Sequence, residues 1–389
     1  MKILLYFCMF LIPLLVYKLL KNFEKNIFIT IICSLTIIQI ILTPKLCIDS
    51  ALLGANLFIT KVFPSLFPFL VISGIMIDCD GVTIYSKILG KFLCKPLRLP
   101  IECTFAIVIS MFCGYPLGAK YSCDLYEKGI INYKTCQRLI NIASNASPLF
   151  IIGSVGTAML KNFYIGYFLL LCNYISCFIM AFIIPADNTY ISRNQNINLS
   201  FSNKNIGDII KSNIENAIKT SFSVGGFVII FSVITNIIKS NIFFDIAIKN
   251  VTNILQINKN LIEGLLLGII EMTNGCYLIS SLSTDIYIKI IIISFLLGFS
   301  GFSIVSQVYS FTYKYNLSMK KYILRKFMQG LISSTIAAVL YKIPFLNLSM
   351  QVFSNKYSFN QHVIMLMLFI IFLIVPFILS IIKKLFHAS

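Results

Sequence analysis

Apolar residues in this chain gather in long continuous runs, near 3–20, 26–43, 54–77, 136–160, 162–185, 213–238, 287–311, 328–346 and 361–382. A helix crossing the hydrocarbon core needs about 20 mainly apolar residues at about 1.5 Å each. The runs therefore predict about nine transmembrane helices. Two further stretches, 101–130 and 261–283, are apolar but too short or too interrupted for an ordinary span, and both predict re-entrant helical hairpins. The expected fold class is an all-α polytopic membrane protein. Residues 1–20 lack a basic leader of any size and a small-residue cleavage site, so they read as a retained first helix rather than a signal peptide.

The order of these elements repeats. The first half runs through "ANLFITKVFPSLFPFLVISGIMI", the interrupted "GYPLGAK" and the span broken by "NIASNASPLF". The second runs through "AIKTSFSVGGFVIIFSVITNII", "LLLGIIEMTNGCYLISSL" and "IIISFLLGFSGFSIVSQVYSF". Each half offers a span, a hairpin with glycine and polar residues at its tip, and a span with small and polar residues at its middle. Three crossings separate the two units, which predicts an inverted-topology repeat. One membrane transport domain is expected, with N-terminal helices at 1–45, repeats at 50–185 and 205–346, and a C-terminal helix at 361–384.

The breaks carry the chemistry. Unpaired backbone groups in hydrocarbon cost several kcal/mol each, so irregular backbone at membrane depth must face protein or a wet cavity. Gly114 and Gly118 admit unusual backbone angles and Pro116 cannot donate to a helix ladder. With Tyr115 they predict a tip that presents half-helix ends at the midplane, where N-termini favour an anion. Lys120 reads as an access residue on the return arm, in a charged stripe with Asp124 and Glu127 that is alternatively a solvated face. The first broken span offers Asn145 and Ser147 as substrate ligands, beside Asn141, Ser144 and Pro148. The second offers Ser300 and Ser303, with Ser306 and Gln307 nearby. At the second tip Thr273, Asn274 and Gly275 are the candidate ligands. Glu271, isolated from basic residues in sequence, is the candidate ion-coupling group, with a hydrogen-bonded structural carboxylate capping the tip as the alternative.

Composition fits this picture. Of 389 residues, 58% are hydrophobic and 12% charged, with a mean hydropathy of +0.88, against about 25% charged in a soluble domain. The net charge of +18 follows from an uneven distribution. Counting crossings puts roughly two thirds of the 32 basic residues, Arg193, Arg325 and Lys326 among them, on one face. The positive-inside rule then places the N-terminus outside and the C-terminus in the cytoplasm. Attraction to anionic lipid accounts for the charge better than nucleic acid, for which no basic domain stands free of the membrane. The twelve cysteines are scattered without a C-x-x-C pair, and histidines number two. They read as apolar packing residues, so neither a metal nor another cofactor is expected.

Protease, hydrolase, nucleotide-binding and dinucleotide-binding motifs are absent from the sequence. The expectation is a transporter and not an enzyme. Its partners would be a small-molecule anionic substrate and membrane lipid, with a homo-oligomer open. A membrane-embedded enzyme and a scaffold without transport are the alternatives, but neither calls for a repeat with matched breaks.

At "PSLFPF" (Pro64 to Phe69), "GYPLGA" (Gly114 to Ala119), "SNASPLF" (Ser144 to Phe150) and "GIIEMTNGC" the chain resembles the YlbJ (SpoVV) family of sporulation integral membrane proteins, which carry nucleoside-transporter gate-like repeats. The resemblance covers roughly residues 50–345. It implies a protein of endospore-forming bacteria, placed in the outer forespore membrane, that moves dipicolinic acid from the mother cell toward the forespore. A nucleoside or another small metabolite is the alternative substrate.

Overall fold

The computed structural model describes residues 25–79, 81–186 and 205–342. The expected first and last spans, the loop holding Arg193 and both chain ends lie outside the described residues. Within them the chain is helical, with no strand. Four helices are long and apolar enough to cross a membrane: Phe163–Ile183, Ile206–Lys239, Ile286–Tyr315 and Met319–Tyr341. A fifth follows if Thr30–Leu42 and Pro44–Thr60, bent by 104° at Thr43, count as one span.

Helix α1 (Lys25–Leu42) leads into α2 (Pro44–Leu57), which begins on a proline where no helix ladder bond is lost. A π-helical turn, Phe58–Val62, joins α2 to α3 (Phe63–Asp78), so the expected span at 54–77 is in fact two helices linked by that turn. A short amphipathic helix, α4 (Gly81–Leu93), then leads to the first hairpin, α5 (Thr104–Cys113) and α6 (Leu117–Glu127). Next comes α7 (Tyr133–Ile142), an unwound stretch, a π-helical segment (Leu149–Met159) and α8 (Phe163–Ile183). The expected span at 136–160 is thus broken in its middle, as its polar residues foretold.

The second half follows the same plan. Helix α9 (Ile206–Lys239) has 34 residues, about 50 Å at 1.5 Å per residue, longer than an apolar core and charged in its first turns. An amphipathic helix, α10 (Ile242–Leu255), leads to the second hairpin, α11 (Lys259–Ile270) and α12 (Met272–Ser281). Helices α13 (Ile286–Phe299) and α14 (Gly301–Thr312) meet at Ser300, and α15 (Met319–Tyr341) closes the unit.

Corresponding elements pair across the molecule. Helix α3 packs on α9 and α8 on α15, while the return arm of each hairpin packs on the far arm of the other half's broken span: α6 on α14, and α12 on the π-helical segment. The outer surface is the reverse of a soluble protein's. On α15, Leu324, Phe327, Met328 and Leu331 are exposed while Tyr322, Lys326, Gln329 and Ser333 are buried. A helix with its polar stripe inward and its apolar face outward is stable only against lipid.

Candidate functional site

Four interruptions of helix meet near the centre, two from each half. At the first hairpin tip, Gly114 adopts φ +78°, a left-handed angle that favours glycine. A Cβ there would stand 2.6 Å from the Ser147 nitrogen and 3.1 Å from the Asn145 carbonyl oxygen. The backbone of the tip therefore lies directly on the unwound part of its own half's broken span. Tyr115 N–H donates to the Asn145 carbonyl at 2.7 Å and joins the two. The second half makes the same contact with the glycine on the other member: Gly301 of the broken span, φ +78°, lies against the Gly268 carbonyl oxygen and the Met272 nitrogen, each 3.2 Å from a Cβ position. Across the halves, the Tyr115 hydroxyl donates to the Met272 sulfur at 2.7 Å.

These four breaks line a cavity of about 170 Å³. Its polar lining comes largely from them: Tyr115, Ser147, Glu271, Thr273, Asn274, Ser303 and Gln307. The remaining wall is mainly apolar, built by residues such as Leu66, Phe150, Val224 and Val228. An apolar pocket with a few convergent polar groups is the usual form of a small-molecule site. Two helices start at its edge without a side-chain cap, α6 behind Pro116 and α14 behind Ser300. Gln307 is nearly fully buried on the wall and its Oε1 has no hydrogen-bond partner. An unpaired buried acceptor costs about 1–3 kcal/mol, so a donor brought by a ligand would find it ready.

All but one of the expected site residues fall into two groups. Tyr115, Pro116, Ser147, Thr273, Asn274, Ser303 and Glu271 line the cavity. Gly114, Gly118, Asn145, Gly275 and Ser300 build the structure behind it. A Cβ on Gly118 would come within 1.7 Å of the Ala143 carbonyl oxygen, and one on Gly275 within 2.2 Å of the Gly268 Cα, so both permit helices to touch through backbone. Ser300 is fully buried at φ +75° and forms the break itself. Lys120 belongs elsewhere: it pairs with Asp124 at 3.7 Å and lines a separate charged cavity with Asp78, Glu127 and Asn213.

Glu271 takes the capping geometry. Its Oε1 accepts from Thr273 N–H at 3.0 Å and its Oε2 from Asn274 N–H at 2.7 Å, which fills the N-terminus of α12 with the protein's own carboxylate. Asn145 is held on both sides. Its Nδ2 donates to the Ile142 carbonyl at 2.8 Å and its Oδ1 accepts from Gln329 Nε2 at 2.9 Å.

Sequence reading missed Lys326. The run "MKKYILRKF" looks like a basic segment at the membrane surface, yet Lys326 is fully buried. Its ammonium donates to the Ser144 carbonyl at 2.6 Å and to Gln329 Oε1 at 2.9 Å. The signal was there in helical spacing, since Tyr322, Lys326, Gln329 and Ser333 form one polar stripe along the helix, opposite Leu324, Phe327, Met328 and Leu331.

The chain is 25% identical over 320 residues to the sporulation integral membrane protein YlbJ of Bacillus subtilis (strain 168), an alignment covering 77% of this chain and 78% of that protein. That alignment takes in both hairpins and both broken spans, so the likeness extends across both halves of the described architecture. No family profile and no solved structure matches the chain. The likeness to an integral membrane protein and the four long apolar helices among the described residues together make this chain a multi-pass integral membrane protein. Among its described residues there is no group of side chains suited to a metal ion.

Proposed function

We propose that this chain, like the YlbJ family it resembles, is a sporulation membrane protein, and that it is a transporter that carries a small organic anion, dipicolinic acid, from the mother cell toward the forespore. One observation carries the reading: four backbone breaks, matched between two halves of like plan, line one cavity and supply most of its polar groups. Broken helices around a central site are the architecture of alternating access, in which one repeat rocks against the other. In this reading the hairpins are re-entrant and enter from opposite faces. The protein sits in the outer forespore membrane with its N-terminus outside and its C-terminus in the cytoplasm.

Dipicolinate at neutral pH is a small planar dianion. The cavity suits the ring with its apolar wall, and the carboxylates with the Ser147, Thr273, Asn274 and Ser303 side chains and the uncapped starts of α6 and α14, each worth about half an elementary charge. Partial charges hold an anion without trapping it. Transport needs that balance.

A second reading draws on the lining itself. Its ionisable carboxylate is Glu271, and no lysine or arginine stands beside it on the wall. A neutral, hydrogen-bonding solute such as a nucleoside also fits such a surface. Uptake into vesicles containing the purified protein separates the two: labelled dipicolinate is expected to accumulate and labelled nucleosides not to compete. Nucleoside uptake without dipicolinate uptake would establish the second reading in place of the first.

A further inference from the structure

The buried lysine on α15 has no role in the cavity lining, and its surroundings are unusual for a charged group. Lys326 lies on a helix apolar enough to cross a membrane and is sealed from solvent. Its bonding partners are neutral, a backbone carbonyl and an amide oxygen. Burying a charge among neutral partners is costly, and here two acceptors offset that cost. Ionisable groups at this depth are costly and mark function by default.

What the ammonium holds is the unwound part of the first broken span. Tyr322, Lys326 and Gln329, at helical spacing, converge on two adjacent residues of that stretch. The Tyr322 hydroxyl meets Ser144 Oγ at 2.8 Å, Lys326 meets the Ser144 carbonyl, and Gln329 meets the Asn145 side chain. Asn145 in turn accepts from Tyr115, which reaches Met272 of the opposite tip and lines the cavity. A continuous set of bonds thus runs from the lysine to the substrate cavity.

Among the described residues, no carboxylate bonds to Lys326. Cys177 on α8 bonds into the same network, its sulfur accepting from Asn145 Nδ2 and its thiol donating to the Ile142 carbonyl. Arg138 on α7 turns away to the Arg98, Ala181 and Ile184 carbonyls, and Arg325 on α15 reaches the Gln137 carbonyl. Helix α13 packs on α15 through Phe295, Gly298 and Phe299, none of which titrates. Tyr322 stands beside it, with Tyr115 and Glu271 farther off at the cavity.

We propose that Lys326 is the proton-coupling residue of the transport cycle: its ammonium latches the unwound Ser144–Asn145 stretch, and release of the proton to water frees that stretch to move. Because the group is sealed in the state seen, it exchanges a proton with water only when the stretch opens. Protonation and conformation are therefore linked, and each biases the other. Lys326 is a positioning residue; it touches the gate and not the substrate. The proposal rests on the transport reading above for its direction of use, but the latch itself does not depend on the substrate.

Hydrogen exchange of the peptide spanning Asn141 to Phe150, followed by mass spectrometry from mildly acidic to mildly alkaline pH on the full chain in lipid, tests the latch. With the chemical pH trend removed by a reference peptide, the wild type is expected to lose protection in a step as pH rises. K326R, which keeps its charge, is expected to stay protected without a step. K326M is expected to lack the protection at every pH. In the same vesicles, K326R is expected to slow dipicolinate flux on the order of tenfold and to flatten its pH profile. A folded K326M with the wild-type protection profile, or a K326R flux whose pH profile is unchanged, overturns the proposal. A protection step without any dipicolinate flux would uphold the latch and remove the substrate reading instead.

Discussion

The two halves of the molecule solve one problem differently. Each must stop a helix in the middle of an apolar region and dispose of the freed backbone groups. The second half uses local chemistry: Glu271 caps α12 three residues away at most, and Ser300 and Gly301 turn the chain within two left-handed residues. The first half uses distant chemistry. Its broken span is unwound over several residues, and the groups that hold it come from α15, some 180 positions later in the chain. A locally capped break keeps its shape whatever its neighbours do, whereas one held from another helix loses its supports when that helix moves. Under alternating access, the first half is the side expected to move relative to its supports and the second the side expected to hold its form.

The largest effect expected from disturbing this arrangement is at Gly118. A methyl group there overlaps the Ala143 backbone, which flanks the unwound stretch and has no flexible end to give way. Overpacking usually costs about 1–3 kcal/mol, and a backbone clash lies at or beyond the upper end. Gly118→Ala should lower the melting temperature of the purified protein sharply and lose transport. Gly153→Ala is the control: its Cβ would meet only Leu149 Cδ1 at an ordinary 3.7 Å, and it should be tolerated. Equal stability of the two variants would show that the close crossing of α6 and the unwound stretch is not required.

A middle-sized effect is expected at Glu271. Removing an N-cap side chain costs about 0.5–2 kcal/mol, so Glu271→Ala should destabilise the second tip measurably in a thermal melt. Glu271→Gln retains one acceptor oxygen and should lose less, with transport reduced and its pH profile unchanged. The comparison sharpens if Gln abolishes transport in a protein that melts normally, because the carboxylate charge would then serve coupling at the second tip as well as capping.

How much of this was legible in the sequence varies with how local the signal is. The breaks were legible because glycine, proline and clustered small polar residues interrupt apolar runs in ways helices cannot absorb. Glu271 was legible as a residue to watch, and capping had to be left beside coupling because the choice depends on where two N–H groups point. The bend at Thr43 and the π-helical turn at Phe58–Val62 were not legible, since the apolar runs carry on through both. Lys326 was concealed by its neighbours. Lys320, Lys321 and Arg325 made it look like part of a surface charge run, and only the packing of α15 against the unwound stretch turns it inward. Asn145 and Gly118 were picked out as substrate ligands and stand behind the cavity wall, because whether a residue faces a cavity or braces its wall is a tertiary matter.

The smallest effect is expected at the helices that lead into the hairpins, where the halves differ again. In the first half α4 is packed down, Gly90 allowing close contact with Ile101 at the start of the hairpin. In the second, α10 exposes Ile242, Phe243, Ile246 and Ile254 and is tied to the hairpin by charge, with Asp245 between Lys249 at 2.9 Å and Lys259 at 2.5 Å. The hydrogen bond from Lys259, and then that from Lys249, hold the Asp245 carboxyl below its ordinary range. A carboxyl whose folded value is depressed adds stability above its unfolded value and loses it as pH falls through the folded one. The group is solvent-exposed, so salt and water weaken the pair. Asp245→Asn should therefore lower the melting temperature only slightly at neutral pH and low salt, and not at all at strongly acidic pH, where the carboxyl is already neutral in both states. A deficit that persisted unchanged into acid would mean that Asp245 supports α10 through its shape rather than its charge.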